Sequence, residues 1–100
     1  MRRALFQTAA NTMLLDCSLY QTFVITLGVS VQTLELKKVS PGMLYAFVVR
    51  QDSKGSHSLN WGMSARNGTG CDPRPNSITV QTFIGMVGGY MQANLPGTWT

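Results

Sequence analysis

Met43-Leu44-Tyr45-Ala46-Phe47-Val48-Val49-Arg50 is the stretch that decides the fold. Side chains of an extended chain alternate between two faces, so Tyr45, Phe47 and Val49 share one face and Leu44, Ala46 and Val48 the other. Both faces are apolar, which predicts a strand with neighbours on either side, in the middle of a sheet. Just before it, Ser40-Pro41-Gly42 is turn chemistry, with Pro presetting φ and Gly accepting the positive φ beside it.

Working outward, the same period of two recurs. In Gln21–Gly28, Phe23, Ile25 and Leu27 alternate with Thr22, Val24 and Thr26, the pattern of a half-buried strand. Val31–Leu36 continues it, with Leu34 and Leu36 inward and Thr33 and Glu35 outward, and Gly28–Ser30 is the turn or crossing between the two. After residue 50, Gln51-Asp52-Ser53-Lys54-Gly55 reads as a hairpin loop and Ser56–Trp61 as its return strand. Residues 62–76, rich in Gly, Pro, Asn and Ser, form a long irregular loop of the kind that carries function. Alternation resumes over Ser77–Ile84 through Ile78, Val80 and Thr82, and a last strand is expected over Tyr90–Asn94 before Trp99.

Six to eight short strands at this spacing predict an all-β chain, an antiparallel β-sandwich or jelly-roll-like fold. With 100 residues there is material for one core. A single domain over residues 13–100 is expected, preceded by an N-terminal arm over 1–12, where alternation is missing.

Composition narrows the function classes. Hydrophobic residues make up 44% and charged residues 12%, about half the usual charged share. Few charges keep copies apart, and small domains leave much apolar surface uncovered, so self-association is expected. The net charge is +4, but the basic residues are dispersed and no run exceeds two. Only Arg2-Arg3 resembles a backbone-binding arm, so no nucleic-acid partner is expected. The apolar run at the start is broken by Gln7, Thr8, Asn11 and Thr12, which argues against an export signal. No stretch approaches the length of a membrane-spanning helix. The expected location follows: made in the cytoplasm and carried elsewhere within an assembly.

Chemistry-bearing groups are few: Asp16, Glu35, Asp52, Asp72, His57, Cys17 and Cys71. Catalysis requires groups that converge, and these are scattered over turns and outward strand positions. Neither a carboxylate pair nor a Cys17–His57 nucleophile is supported by spacing, and two cysteines with one histidine are too few for a structural zinc site. No glycine pattern opens a strand-to-helix unit, so nucleotide-binding motifs are absent. The expectation is a non-enzyme without metal or cofactor. Asn67-Gly68-Thr69 matches a glycosylation acceptor and is taken as a chance match.

The ordered series Phe23-Val24-Ile25-Thr26-Leu27, Leu34-Glu35-Leu36, Pro41-Gly42, Tyr45-Ala46-Phe47-Val48-Val49-Arg50-Gln51-Asp52, Gly55 and Leu59-Asn60-Trp61 resembles a β module of bacteriophage virion proteins. That module runs "F-x-V-x-L", "L-x-L", "P-G", "F-x-L-x-V-x-Q-D", a "G" hairpin and "V-x-W", and it occurs in tail-fibre segments and small capsid-associated proteins, typically as trimers. The resemblance covers residues 14–61 and, more loosely, 76–99. It departs over Met63–Pro75, a polar loop holding Cys71 where the family has an apolar strand region.

The resemblance implies a virion structural protein: a capsid decoration or cement protein, homotrimeric, bound to the major capsid protein. The alternatives are a tail-fibre or receptor-binding module, or a carbohydrate-binding module using Tyr45, Trp61 or Trp99. Candidate partner contacts are Arg2, Arg3 and Phe6 in the arm and Arg66, Asn67, Asp72 and Arg74 in the loop. The family transfers no catalytic residue.

Overall fold

Alternate residues of seven strands are buried, and they set how the chain is laid down in this computed structural model, which describes residues 3–66 and 68–93. The strands are β1 (Arg3–Thr8), β2 (Thr12–Asp16), β3 (Tyr20–Leu27), β4 (Thr33–Lys37), β5 (Leu44–Gln51), β6 (Ala65–Arg66), β7 (Ile78–Met86) and β8 (Tyr90–Ala93). No helix occurs among the described residues, and the chain is all-β as expected.

Six strands form one sheet in the order β1-β3-β5-β7-β8-β6, and β2 with β4 forms a second. The sheets are mixed, which corrects the antiparallel expectation: β1, β3 and β5 run parallel, as do β2 with β4 and β6 with β8. Among the described residues, only β5–β7 and β7–β8 are antiparallel. The reason lies in the path. Each run of alternation in the first half hands over to the other sheet instead of folding back, so the chain re-enters each sheet in its original direction. The Gly28–Ser30 segment is therefore a crossing and not a hairpin turn.

Two further expectations change. Residues 3–8, read as part of an arm, are an edge strand paired with β3 from Ala4↔Thr22 to Thr8↔Thr26. The return partner of β5 is β7, not Ser56–Trp61, whose one ladder contact is a bridge between Leu59 and Val31. The Gln51 side chain explains this. Its amide donates to the His57 carbonyl at 2.6 Å and its carbonyl oxygen accepts from the His57 N–H at 3.2 Å, so a side chain takes up the backbone groups that a return strand would have offered to β5.

Both sheets share one core. Met13, Leu15, Leu34 and Leu36 from the two-stranded sheet join Phe23, Ile25, Phe47, Val49 and Phe83 from the six-stranded one. Phe47 is fully buried at its centre, stacked on its cross-strand neighbour Phe23 at 4.8 Å. It also meets Trp61 and Phe83 edge-on at 5.1 and 5.5 Å. The buried Tyr45 hydroxyl links the sheets, accepting from the Ser40 N–H and donating to the Cys17 carbonyl just past β2.

Removing the Phe47 ring deletes three aromatic contacts and opens a cavity where two sheets meet. Phe47→Ala is expected to cost about 3–5 kcal/mol of unfolding free energy, read as a lowered urea midpoint with an unchanged m-value. A loss under about 1 kcal/mol would place the centre of the core elsewhere.

Candidate functional site

The inward face of β5 meets its expectation, while the outward face is covered by no further layer of the described chain. Leu44 on that face is 53% exposed, and Ala46 and Val48 are half-buried. Register extends the apolar surface across neighbouring strands. Phe6, Val24, Val48 and Val80 stand side by side on β1, β3, β5 and β7. On one side lies the row Ala4, Thr22, Ala46 and Thr82; on the other lies Thr8, Thr26, Arg50 and Ile78. Leu44 beside Ile84 forms a fourth row.

Strand β7 contributes most to this face because its amphipathic sense is reversed. Ile78 and Val80 point outward at 58% and 61% exposure, while Gln81 is buried on the core side. Gln81 is there to hold the long loop: its carbonyl oxygen accepts from the Thr69 N–H at 3.1 Å, and its amide donates to the Thr82 carbonyl. Gln51 and Gln81 are the buried polar residues among the described ones, and each fastens a loop that no strand ladder reaches.

Charge is nearly absent from the four rows over β1, β3, β5 and β7, where Arg50 is the one ionic residue; the fourth row continues onto β8 and β6 as Gln92 and Arg66. The outward face of the two-stranded sheet contrasts with it, carrying Asp16, Glu35 and Lys37 among Thr12, Leu14 and Thr33. A polar outer layer needs no partner. An apolar one with side chains in ordered rows is the surface most suited to contact.

The sequence-derived contact residues do not form one site. Phe6 belongs to the apolar face, with 74% of its surface exposed. Arg3 opens β1, and Arg2 and Asn67 lie outside the described residues. Arg66, on β6, places its guanidinium 3.9 Å from the Tyr90 ring centroid and donates to the Met63 carbonyl. Asp72 and Arg74 are brought together, but onto each other: the Arg74 backbone N–H and its guanidinium both donate to the Asp72 carboxylate. These bonds hold Asp72 down to about 2 from its ordinary 3.8.

The Asp52 carboxylate is likewise occupied with structure. Asp52 accepts from the Lys54 and Gly55 amides at 3.0 Å each. The Gly55 bond is the main reason its carboxyl sits below the ordinary value, with Lys54 and His57 adding to it. The buried His57 Nε2 lies 3.2 Å from Asp52 Oδ1, close enough for electrostatic attraction but outside hydrogen-bond geometry. Gly55 has φ +71°, and a Cβ there would meet the Pro73 carbonyl oxygen at 2.7 Å, so the two loops touch through bare backbone.

Trp61, 7% exposed, donates its indole N–H to the Thr69 carbonyl at 2.8 Å, and Gly68 lies flat against its ring where a Cβ would clash. With Tyr45 1% exposed, neither ring offers a sugar-stacking platform, and Trp99 lies outside the described residues. Burial pushes the Cys71 thiol up, which makes it a poor nucleophile at neutral pH. No group of three or more His, Cys, Asp or Glu positioned for a metal occurs among the described residues. No helix among them is long and apolar enough to cross a membrane.

No protein-family model, curated protein or solved structure matches the chain. Its reading rests on its own surfaces. The signal for the apolar face was present in the sequence as two-sided apolarity in β5; what alternation alone does not say is which of two apolar faces the chain covers for itself.

The loop carboxylates give a pH test. Folded values below 3.8 mean that their contribution is complete above 3.8 and is lost as pH falls through the folded value. Carboxyl NMR is expected to show Asp72 titrating near 2, with Arg74 amide protection fading over the same range. A midpoint at 3.8 would show that the Asp72–Arg74 bonds do not persist in solution.

Proposed function

We propose that this chain is a non-catalytic structural module of a virus particle: a capsid decoration or cement protein that binds and stabilises the phage head as a homotrimer. Its two sheets serve as the layers of a sandwich-like unit. The observation that carries this reading is the outward sheet face over β1, β3, β5 and β7, where exposed and half-buried apolar side chains stand among threonines and a single charge. A surface of that kind is suited to lasting subunit contact and gives a small substrate nothing to orient it.

Three features support the reading. The loop carboxylates and the buried glutamines are engaged in holding loops, which leaves little for catalysis. The dispersed cations argue for protein partners over nucleic acid. The resemblance of residues 14–61 to phage virion modules supplies the biological setting, with the chain made in the host cytoplasm and located in the virion. The major capsid protein is the proposed partner.

Quantitative mass spectrometry of purified particles tests this. Hundreds of copies at a fixed ratio to the major capsid protein are expected, and a handful would move the chain to the tail. Absence from particles would refute the reading. A cement held by apolar and backbone contacts also stays bound through a few hundred millimolar salt, where charge-held proteins come off.

A further inference from the structure

The outward face of the six-stranded sheet raises a question that a virion role leaves open, namely what covers it. Strands about 4.8 Å apart and rows about 7 Å apart give the three rows of four and the shorter Leu44–Ile84 row a footprint on the order of 400–500 Å². Side-chain relief raises the accessible area above that footprint, towards the roughly 600–800 Å² per partner at which specific assembly begins. A lone exposed side chain needs no explanation, but a contiguous array of this extent does.

We propose that this face is covered by the same face of another copy of the chain, and that capsid contact is made elsewhere on the molecule. Charge and shape favour that occupant. Arg50 is the single ion in the array and stands in an end row, so the interior row of Phe6, Val24, Val48 and Val80 is apolar throughout. The one charge of the array thus lies outside its apolar centre, at the rim. An anionic partner would find one cation in the array and Arg66 beyond its edge, already stacked on Tyr90, and a cationic partner would find no acid. A twisted sheet with regular side-chain rows fits another such sheet, packing about 10 Å away with rows interdigitated, and a copy of this chain presents that surface. When two copies meet with strands running in opposite directions, each Arg50 lies at the far end of the partner's array, so like charges stay apart.

The proposal deepens the virion reading, resting on its self-association and not on its location, and the two fail separately. Light scattering on the purified chain after size exclusion, near 50 µM, is expected to give an even multiple of the chain mass, because a face that covers its own copy pairs molecules two by two. Val80→Glu, and independently Phe6→Glu on a different strand, are expected to weaken association by tenfold or more while circular dichroism keeps its β signal. Both side chains are more than half exposed, so neither change reaches the core. Leu14→Glu, an equally exposed position on the other sheet, is expected to leave the mass unchanged.

A monomeric or trimeric wild-type chain overturns the proposal, as does a folded Val80→Glu or Phe6→Glu variant that keeps the wild-type mass. A dimeric mass sensitive to both changes keeps this interface and removes the trimer. An oligomer sensitive to both, from a chain missing from particles, keeps the interface and removes the virion role.

Discussion

Strand β5 is paired along both edges, and Phe47, midway along it, touches three other aromatic rings. Much of the rest follows from that position. With β3 and β7 bound to its edges, the only freedom left to β5 is which face is covered. The ring cluster of Phe23, Phe47, Phe83 and Trp61 draws the two-stranded sheet and the loop carrying Trp61 to one side. The opposite side keeps Val24, Val48, Val80 and Leu44 with no layer of the described residues above them. An aromatic core on one side and an open apolar face on the other are therefore two results of a single choice.

That choice also explains where polar groups are buried. Trp61 enters the core from a segment with almost no strand pairing, so its neighbours lack ladder partners for their backbone. The Gln51 side chain meets His57, the Gln81 side chain meets Thr69, and the Thr69 carbonyl meets the Trp61 indole. Buried amides stand in for absent strands, consistent with the cost of leaving backbone groups unsatisfied. One consequence is the reversed β7, which turns Gln81 inward and Val80 outward.

Much of the fold was legible in the sequence. Periodicity located β3, β4, β5 and β7 to within a few residues, and the inward sets Phe23-Ile25-Leu27 and Tyr45-Phe47-Val49 are the buried ones. Strand direction was not legible, because alternation looks the same whether a chain folds back or crosses to another sheet. Strand β1 was missed because an edge strand with one covered face shows little alternation: Leu5 packs inward while Phe6 beside it is exposed. Within the loop, Asp72 and Arg74 read as contact residues from their charge alone; their mutual pairing depends on a turn that residue types do not specify.

The winding path bears on how the molecule is made. Until β7 meets β8, no strand pairs with its immediate neighbour in the chain. Loop closure precedes every earlier pairing, and topologies dominated by distant contacts fold slowly. During synthesis β3 emerges with one apolar face and β5 with two, and β5 gains its second edge partner only after residues 78–86 have been made. For that interval the nascent chain shows two greasy strands and an open edge, the state most exposed to wrong association. A chain with so few charges to discourage such encounters depends on its concentration and surroundings during folding more than its finished form would suggest.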